Sequence, residues 1–384
     1  MKRVGSYRTS IVFTLSILFS LTTFLSAQQI WQQTSSEIDY PIYKFTSLDD
    51  DLYAAFYGAG VFKTIDEGEN WTACHNGLAD FLARDIVVLN GNLFVGTSRA
   101  GVFKSSDSGQ SWQVVNDELL PKDTWSLLAA GDRLFSGTSK GLFYTDDGGI
   151  SWQTANLPSP KTYHQIIFSL GVKGRSIIAG SNSYIYLSED FGETWEQIKV
   201  PTSLDIMAVQ AQGNTWLLGT SGEGVLSSEN GRDWHLWNKE SGNTRSLILV
   251  EDNLVLGSAV QGVMGLGIDQ NITSFNEGFS NIAIRSLGYH GGKMYAGTYK
   301  HGIWRYDISK AELTPPTTTS KVYRTVNIYP NPTSEGMINL SYQLTENTTT
   351  HIELFDSFGQ RIAQISPPSE QYKGSHQVSY DMSG

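Results

Sequence analysis

Residues Leu93–Trp112 read LFVGTSRAGVFKSSDSGQSW. Two short strands joined by a glycine-containing loop lead into a polar turn, SSDSGQS, that ends on a tryptophan. The layout recurs at Leu52–Trp71 (LYAAFYGAGVFKTIDEGENW), Leu134–Trp152 (LFSGTSKGLFYTDDGGISW), Ile177–Trp195 (IIAGSNSYIYLSEDFGETW) and Trp216–Trp234 (WLLGTSGEGVLSSENGRDW). Leu254–Phe275 keeps the strands without the turn motif, and Met294–Asp307 (MYAGTYKHGIWRYD) lacks the closing Trp strand. Ile30-Trp31-Gln32-Gln33, at the other end of the array, matches the missing strand. The series Trp31, Trp71, Trp112, Trp152, Trp195, Trp234, Phe275 advances by 40, 41, 40, 43, 39 and 41 residues. A period near 40 with four short strands per unit predicts an all-β chain folded as a β-propeller. Seven inner three-strand sets and seven outer strands predict seven blades. The N-terminal strand closes the ring and removes the edge that an open array would expose.

The composition agrees. Of 384 residues, 38 are Gly and ten are Trp, while only 17% are charged, which suits a turn-rich β protein. The net charge of −11 disfavours nucleic acid, whose dominant affinity term requires a cationic surface. A single cysteine, Cys74, excludes an internal disulfide framework.

The two ends specify an address. Lys2, Arg3 and Arg8 precede an apolar run, Ile11–Leu25, and Ser26-Ala27 offers a small-residue cleavage site before Gln28. This is the layout of a secretory signal peptide. Fifteen residues at 1.5 Å each reach about 22 Å, short of the roughly 30 Å hydrocarbon core, so cleavage is favoured over anchoring. No later segment is long and apolar enough to span a bilayer, and no transmembrane span is expected in the mature chain. Thr314–Ser320 (TPPTTTS) reads as a linker. Beyond it come Tyr329-Pro330-Asn331-Pro332-Thr333, the segment LFDSFGQRI (Leu354–Ile362) and VSYDMSG (Val378–Gly384). These motifs resemble the C-terminal sorting domain of the type IX secretion system of Bacteroidetes. That resemblance implies export through the periplasm and outer membrane, to the cell surface or the medium, with the type IX machinery as partner. Such domains continue into a Gly-Val-Tyr strand, so this one is expected to be incomplete at Gly384. The expected organisation is a signal peptide over 1–27, the propeller over 28–309, a linker over 310–324 and a small β-sandwich sorting domain over 325–384.

The turn Ser-x-Asp-x-Gly-x-x-Trp at Ser105–Trp112, with variants at Thr64–Trp71, Thr145–Trp152 and Ser188–Trp195, resembles the Asp-box, or BNR repeat, of sialidases and related propellers. Asp66, Asp107, Asp147 and Asp190 are expected to accept hydrogen bonds from turn N–H groups. Trp71, Trp112, Trp152, Trp195 and Trp234 are expected to bury surface between hairpin and blade. The loops lack the dense carboxylate spacing of a calcium site, and repetition in every blade argues for scaffold. The seven His show no ligand spacing. Cys74 reads as a small core residue. No metal or cofactor is expected.

In a propeller the first strand of each blade lines the axial channel. Counting back twelve residues from each blade's Gly, or its equivalent, gives Tyr43, Arg84, Trp125, Arg245 and Arg285. Insertions in the fourth and fifth blades point there to His164–Gln165 and Asp205–Ile206. Arg99, Lys140, Lys300 and His301 lie in other loops of the same face, with Tyr40, Tyr163 and Tyr299 as further aromatic walls. A basic, aromatic mouth on an acidic chain suits an anionic glycan or an acidic peptide. The competing structural reading pairs each Arg with Asp85, Asp123, Asp205 or channel carbonyls. Sialidases use three Arg on a carboxylate, but their Arg-Ile-Pro motif is absent. Xyloglucan-type hydrolases with these repeats use two propellers. Asp123 and Asp205 are the best-placed carboxylates for glycoside hydrolysis. Photosystem II assembly factors, which have similar repeats, imply that the architecture can serve binding alone. A non-catalytic binding or scaffold module is therefore the expectation, with a glycoside hydrolase as the alternative.

Overall fold

The computed structural model describes residues 31–34, 39–116, 118–158, 166–250, 253–266, 272–276 and 283–308, together with five strands between 326 and 381. The leader over 1–27, the linker over 310–324 and the turn Asp356–Gly359 lie outside the described residues. The chain divides into two compact units, Gln28–Leu313 and one that holds the C-terminal strands.

The first unit is a ring of seven antiparallel four-stranded sheets. Blade 1 comprises Ile42–Leu48, Asp51–Phe56, Gly60–Thr64 and Thr72–Ala73, and five further blades repeat this order along the chain. Blade 7 takes three strands from Ile284–Asp307 and its outer strand from Gln32–Gln33. The second strand of each blade is sandwiched between neighbouring blades, so Leu93, Phe94, Val95 and Gly96 are buried on both faces. That is why these segments read as continuous apolar runs ending in Gly.

The glycines meet the next blade. A Cβ on Gly96 would stand 2.3 Å from Thr124 Cγ2, and one on Gly137 2.8 Å from Ile167. Gly180 faces Ile206, Gly219 Thr244, Gly257 Ile284 and Gly297 Ile42, all within 2.9 Å of the added carbon. Each contact sets a second strand against the start of the following blade's inner strand. The last of them joins blade 7 to blade 1.

Closure follows the predicted strand. Gln32 pairs with Arg305 and Gln33 with Trp304, and the Thr34 N–H donates to the Ile303 carbonyl at 2.9 Å. Trp31 is buried against Tyr306, Met294 and Leu287, and its indole N–H donates to the Phe275 carbonyl. Arg305 ties the seam to blade 1 by donating to Gln32 Oε1 (3.2 Å) and Glu69 Oε1 (2.6 Å).

The four aspartate turns are superimposable in their bonding. Ser105 Oγ donates to Asp107 Oδ1 at 2.7 Å and accepts from the Gly109 N–H. Asp107 also accepts from the Ser111 N–H (2.9 Å) and hydroxyl (2.6 Å). Asp66, Asp147 and Asp190 repeat this with Asn70, Ser151 and Thr194. Ser228–Trp234 is one residue shorter, and there Asn230 Oδ1 accepts from the Arg232 and Asp233 N–H groups. The tryptophans reach further than the sequence suggested. Trp112 and Trp152 donate to the Cys74 and Val115 carbonyls of the preceding blade, at 2.7 and 2.8 Å. Trp195 and Trp234 instead bond within their own turns, to Gly192 and Gly231.

In the second unit, Val326–Tyr329, Met337–Leu344 and Gly374–Asp381 form one sheet, and Thr348–Phe355 pairs with Arg361–Gln371. The last pairing shifts register between Thr350 and Ile352, opposite Pro367 and Pro368, which lack the N–H a ladder needs.

Two outcomes follow from these contacts. Trp31→Ala should lower unfolding free energy by about 3–5 kcal/mol, as for other buried Trp truncations; unchanged urea unfolding would show that this strand does not close the ring. The Ser111 hydroxyl and N–H, then Ser105, hold Asp107 down to about 2, and Ser151 does the same for Asp147, also to about 2. Their folded values lie below the unfolded reference of about 3.9, so this stabilisation is complete above that pH and is lost as pH falls toward 2. The melting temperature of an Asp107→Asn, Asp147→Asn double variant should therefore fall less steeply than the parent's between about pH 4 and 2. Parallel melting curves would remove the turns from the acid response.

Candidate binding site at the axial mouth

Six of the seven inner strands start with an irregularity. In blade 1, Ile42 pairs with Phe56 and Lys44 with Ala55, which leaves Tyr43 as an extra, unpaired residue. The same register jump isolates Arg84, Trp125, Met207, Arg245 and Arg285. In blade 4, Phe168 occupies the equivalent place before Ser169 and donates its N–H to the Gly180 carbonyl. A bulge releases one residue from the ladder and re-aims its side chain. Here the residue before it is buried, in every blade but the second against the preceding blade's glycine, and the released residue is half-buried at the channel.

These seven residues line one cavity of about 110 Å³. Round the axis they run Tyr43, Arg84, Trp125, Phe168, Met207, Arg245, Arg285. Blades 6, 7, 1 and 2 thus form a basic arc, and blades 3, 4 and 5 an apolar one. The side chains stack in a chain. The Arg285 guanidinium lies 3.9 Å from the Tyr43 ring centroid, Tyr43 stacks on Tyr57 at 5.1 Å, and Arg84 lies 5.6 Å from Tyr57 and 3.7 Å from Trp125. Trp125 meets Phe168 edge-on at 5.4 Å. Cation–π contacts of this kind hold a guanidinium without neutralising it.

None of the three arginines is ion-paired with a carboxylate among the described residues. Arg84 Nε and Nη1 and Trp125 Nε1 are buried without a hydrogen-bond partner. Burial, and then the charge of Arg285, push Arg245 below its ordinary value. Two cations are therefore held close together in a partly desolvated place, where an anion gains most.

Below the bulges a second layer links blade to blade. Asp85 accepts from the Ile86 and Leu127 N–H groups, at 2.8 and 2.9 Å. Ser169 donates to the Ile206 carbonyl, Ser286 donates to the Ile42 carbonyl, and Ser246 accepts from the Leu287 N–H. Asp85 is thus a link in the wall and does not cap Arg84. Burial raises its pKa.

Other expected residues fall elsewhere. Arg99 is exposed and paired with Asp80 at 3.1 Å. Lys140 and Lys300 are exposed and do not line the cavity. Tyr40 and Tyr299 are also exposed, while Tyr163 and His164–Gln165 lie outside the described residues. Asp123 accepts from the Ser139 N–H and Asp205 from Asn182 Nδ2, both away from the cavity lining. The positions expected at His164–Gln165 and Asp205–Ile206 belong instead to Phe168 and Met207. In blade 4 the extra residues precede the inner strand, Ile167 lying 15 residues after Trp152 against 12 from Trp71 to Ala83, and blade 5 has none, with 11 from Trp195 to Ile206, so the count of twelve back from Gly180 and Gly219 holds unchanged.

Residues 71–204 match the DUF6242 beta propeller domain, and residues 327–384 match the secretion system C-terminal sorting domain. The sorting domain marks the chain for the type IX secretion machinery and for export, to the cell surface or the medium. No helix among the described residues is long and apolar enough to cross a membrane. No curated protein matches the sequence. Among solved structures, YCF48 bound to D1 peptide is 16% identical with a TM-score of 0.59, covering 76% of this chain and all of that one. Virginiamycin B lyase from Staphylococcus aureus is 12% identical with a TM-score of 0.61, covering 73% and 99%. The extracellular domain of a protein described as a hybrid two component system from B. thetaiotaomicron is 15% identical, with a TM-score of 0.61, covering 88% of this chain and 49% of that one. The chain thus spans about half of that last protein. At these identities the likeness is one of fold.

Proposed function

We propose that the protein is an exported, non-catalytic binding module that holds an anionic group of its ligand in the axial mouth. Export would begin with cleavage of the leader before Gln28, and the propeller over 28–309 would be carried by the sorting domain over 325–384. The aspartate turns act as Asp-box-like scaffold. One observation carries the reading: three guanidiniums line one cavity and lack carboxylate partners, in a chain whose net charge is −11. An acidic protein that leaves this cluster unneutralised keeps a local attraction for anions. Glycan hydrolysis has less support, because the cavity is lined by one carboxylate, Asp85, and that chemistry needs two. YCF48 with its D1 peptide shows that a propeller of this fold serves binding, while virginiamycin B lyase shows that it also serves catalysis. Fold alone does not choose between them.

The test uses the purified full chain and calorimetry against a panel of acidic oligosaccharides and acidic peptides. A charge-assisted pair in a partly desolvated site contributes roughly 1.5–3 kcal/mol. Arg245→Ala should accordingly weaken binding by about ten- to a hundredfold. Arg245→Lys should recover only part of it, because Lys lacks the planar fork. Lys140→Ala and Lys300→Ala, outside the cavity, should matter far less. Affinities unchanged in both Arg245→Ala and Arg285→Ala would overturn the reading.

A further inference from the structure

The mouth's chemistry is narrower than a general attraction for anions. This step rests on the proposed binding role and concerns what the mouth accepts. The cationic side chains that line the cavity are donors, namely Lys44, Arg84, Arg245 and Arg285, and behind the surface Arg84 Nε and Nη1 and Trp125 Nε1 are buried without a partner. Asp85 accepts from two backbone N–H groups, Ser169 and Ser286 donate to the Ile206 and Ile42 carbonyls, and Ser246 accepts from the Leu287 N–H, so these side chains are held in the wall. An ionised carboxylate only accepts, which matches a lining dominated by guanidinium donors. Opposite the basic arc, Trp125, Phe168 and Met207 form a wall that rewards contact with an apolar group. Size adds a limit. About 110 Å³ lies well below the roughly 300–1,000 Å³ of pockets that enclose a whole small molecule, so only the end of a ligand enters.

We infer that the axial mouth binds, end-on, a carboxylate borne beside an aromatic or aliphatic group, as at the C-terminal residue of a peptide or in a free aryl or alkyl carboxylate. The carboxylate lies against Arg245 and Arg285, and the apolar group lies against Trp125, Phe168 and Met207.

Calorimetry on the full chain tests this with N-acetylphenylalanine, its amide, N-acetylglycine and inorganic phosphate. N-acetylphenylalanine should bind. Its amide, which removes the charge, and N-acetylglycine, which removes the ring, should each bind at least about tenfold more weakly, the scale of one lost charged or apolar contact. Phosphate should compete poorly. Met207→Gln should erase the preference for phenylalanine over glycine while leaving N-acetylglycine binding in place, and Arg285→Ala should weaken both. A peptide ending in Phe that binds more tightly than N-acetylphenylalanine, and loses that on amidation, identifies a peptide end as the source. Tighter binding of the small acid identifies a free carboxylate. The inference is overturned if acid and amide bind equally, if glycine equals phenylalanine, or if phosphate binds best. Arginine-dependent binding of acidic oligosaccharides with none of N-acetylphenylalanine would overturn it while sparing the wider reading. Loss of all arginine-dependent binding would remove both.

Discussion

The missing Cβ at six blade contacts is the constraint on which the rest depends. Gly96, Gly137, Gly180, Gly219, Gly257 and Gly297 each let the start of the next inner strand approach to a distance that alanine would forbid. Their role is spatial, since none of them has a positive φ. Interiors packed this tightly respond to a single added methyl. With the contacts in place, the seven inner strands converge, and whatever each strand presents at its start is brought to one axis.

What six of the seven strands present is a bulged residue, and blade 4 presents Phe168 just before its strand. The pairing skips Tyr43, Arg84, Trp125, Met207, Arg245 and Arg285, and the skipped side chain turns toward the channel. The scaffold therefore separates two tasks. Residues flanking the bulges hold the ring together through six glycine contacts and, in several blades, serine or aspartate hydrogen bonds. The bulged residues vary freely from blade to blade, so a symmetric framework carries an asymmetric mouth with a basic and an apolar arc. The stacked run from Arg285 through Tyr43, Tyr57 and Arg84 to Trp125 fixes these side chains before any ligand arrives. Such preorganisation reduces the ordering cost of binding.

Much of this was legible in the sequence. The tryptophan period predicts seven blades, and the unmatched Ile30–Gln33 predicts the closing strand, because an unsatisfied edge and an orphan strand at opposite ends of an array have one economical solution. The glycine-minus-twelve count finds Tyr43, Arg84, Trp125, Arg245 and Arg285 because the first hairpin keeps a fixed length. It misses Phe168 and Met207 because insertions were expected in both hairpins, whereas the extra residues of blade 4 lie before its inner strand and blade 5 has none. Both are apolar, so the two-sided character of the mouth stayed hidden with them. Arg99, Lys140 and Lys300 share the face by topology, but they sit in loops joining second and third strands, outside the cavity lining. The bulge itself leaves no composition signal, since the released position accepts Tyr, Arg, Trp and Met alike. The reach of Trp112 and Trp152 to the preceding blade likewise depends on side-chain direction across an interface that spacing does not describe.

The central claim is that blade asymmetry builds one carboxylate-and-apolar site on the propeller axis. Anomalous diffraction from crystals of the full chain grown with 4-iodobenzoate tests it most directly, because the iodine reports position and the map reports orientation. The account predicts an iodine peak on the axis beside Phe168 and Met207, with the carboxylate turned toward Arg245 and Arg285. An empty mouth at saturating ligand, or a carboxylate facing the apolar arc, would contradict it.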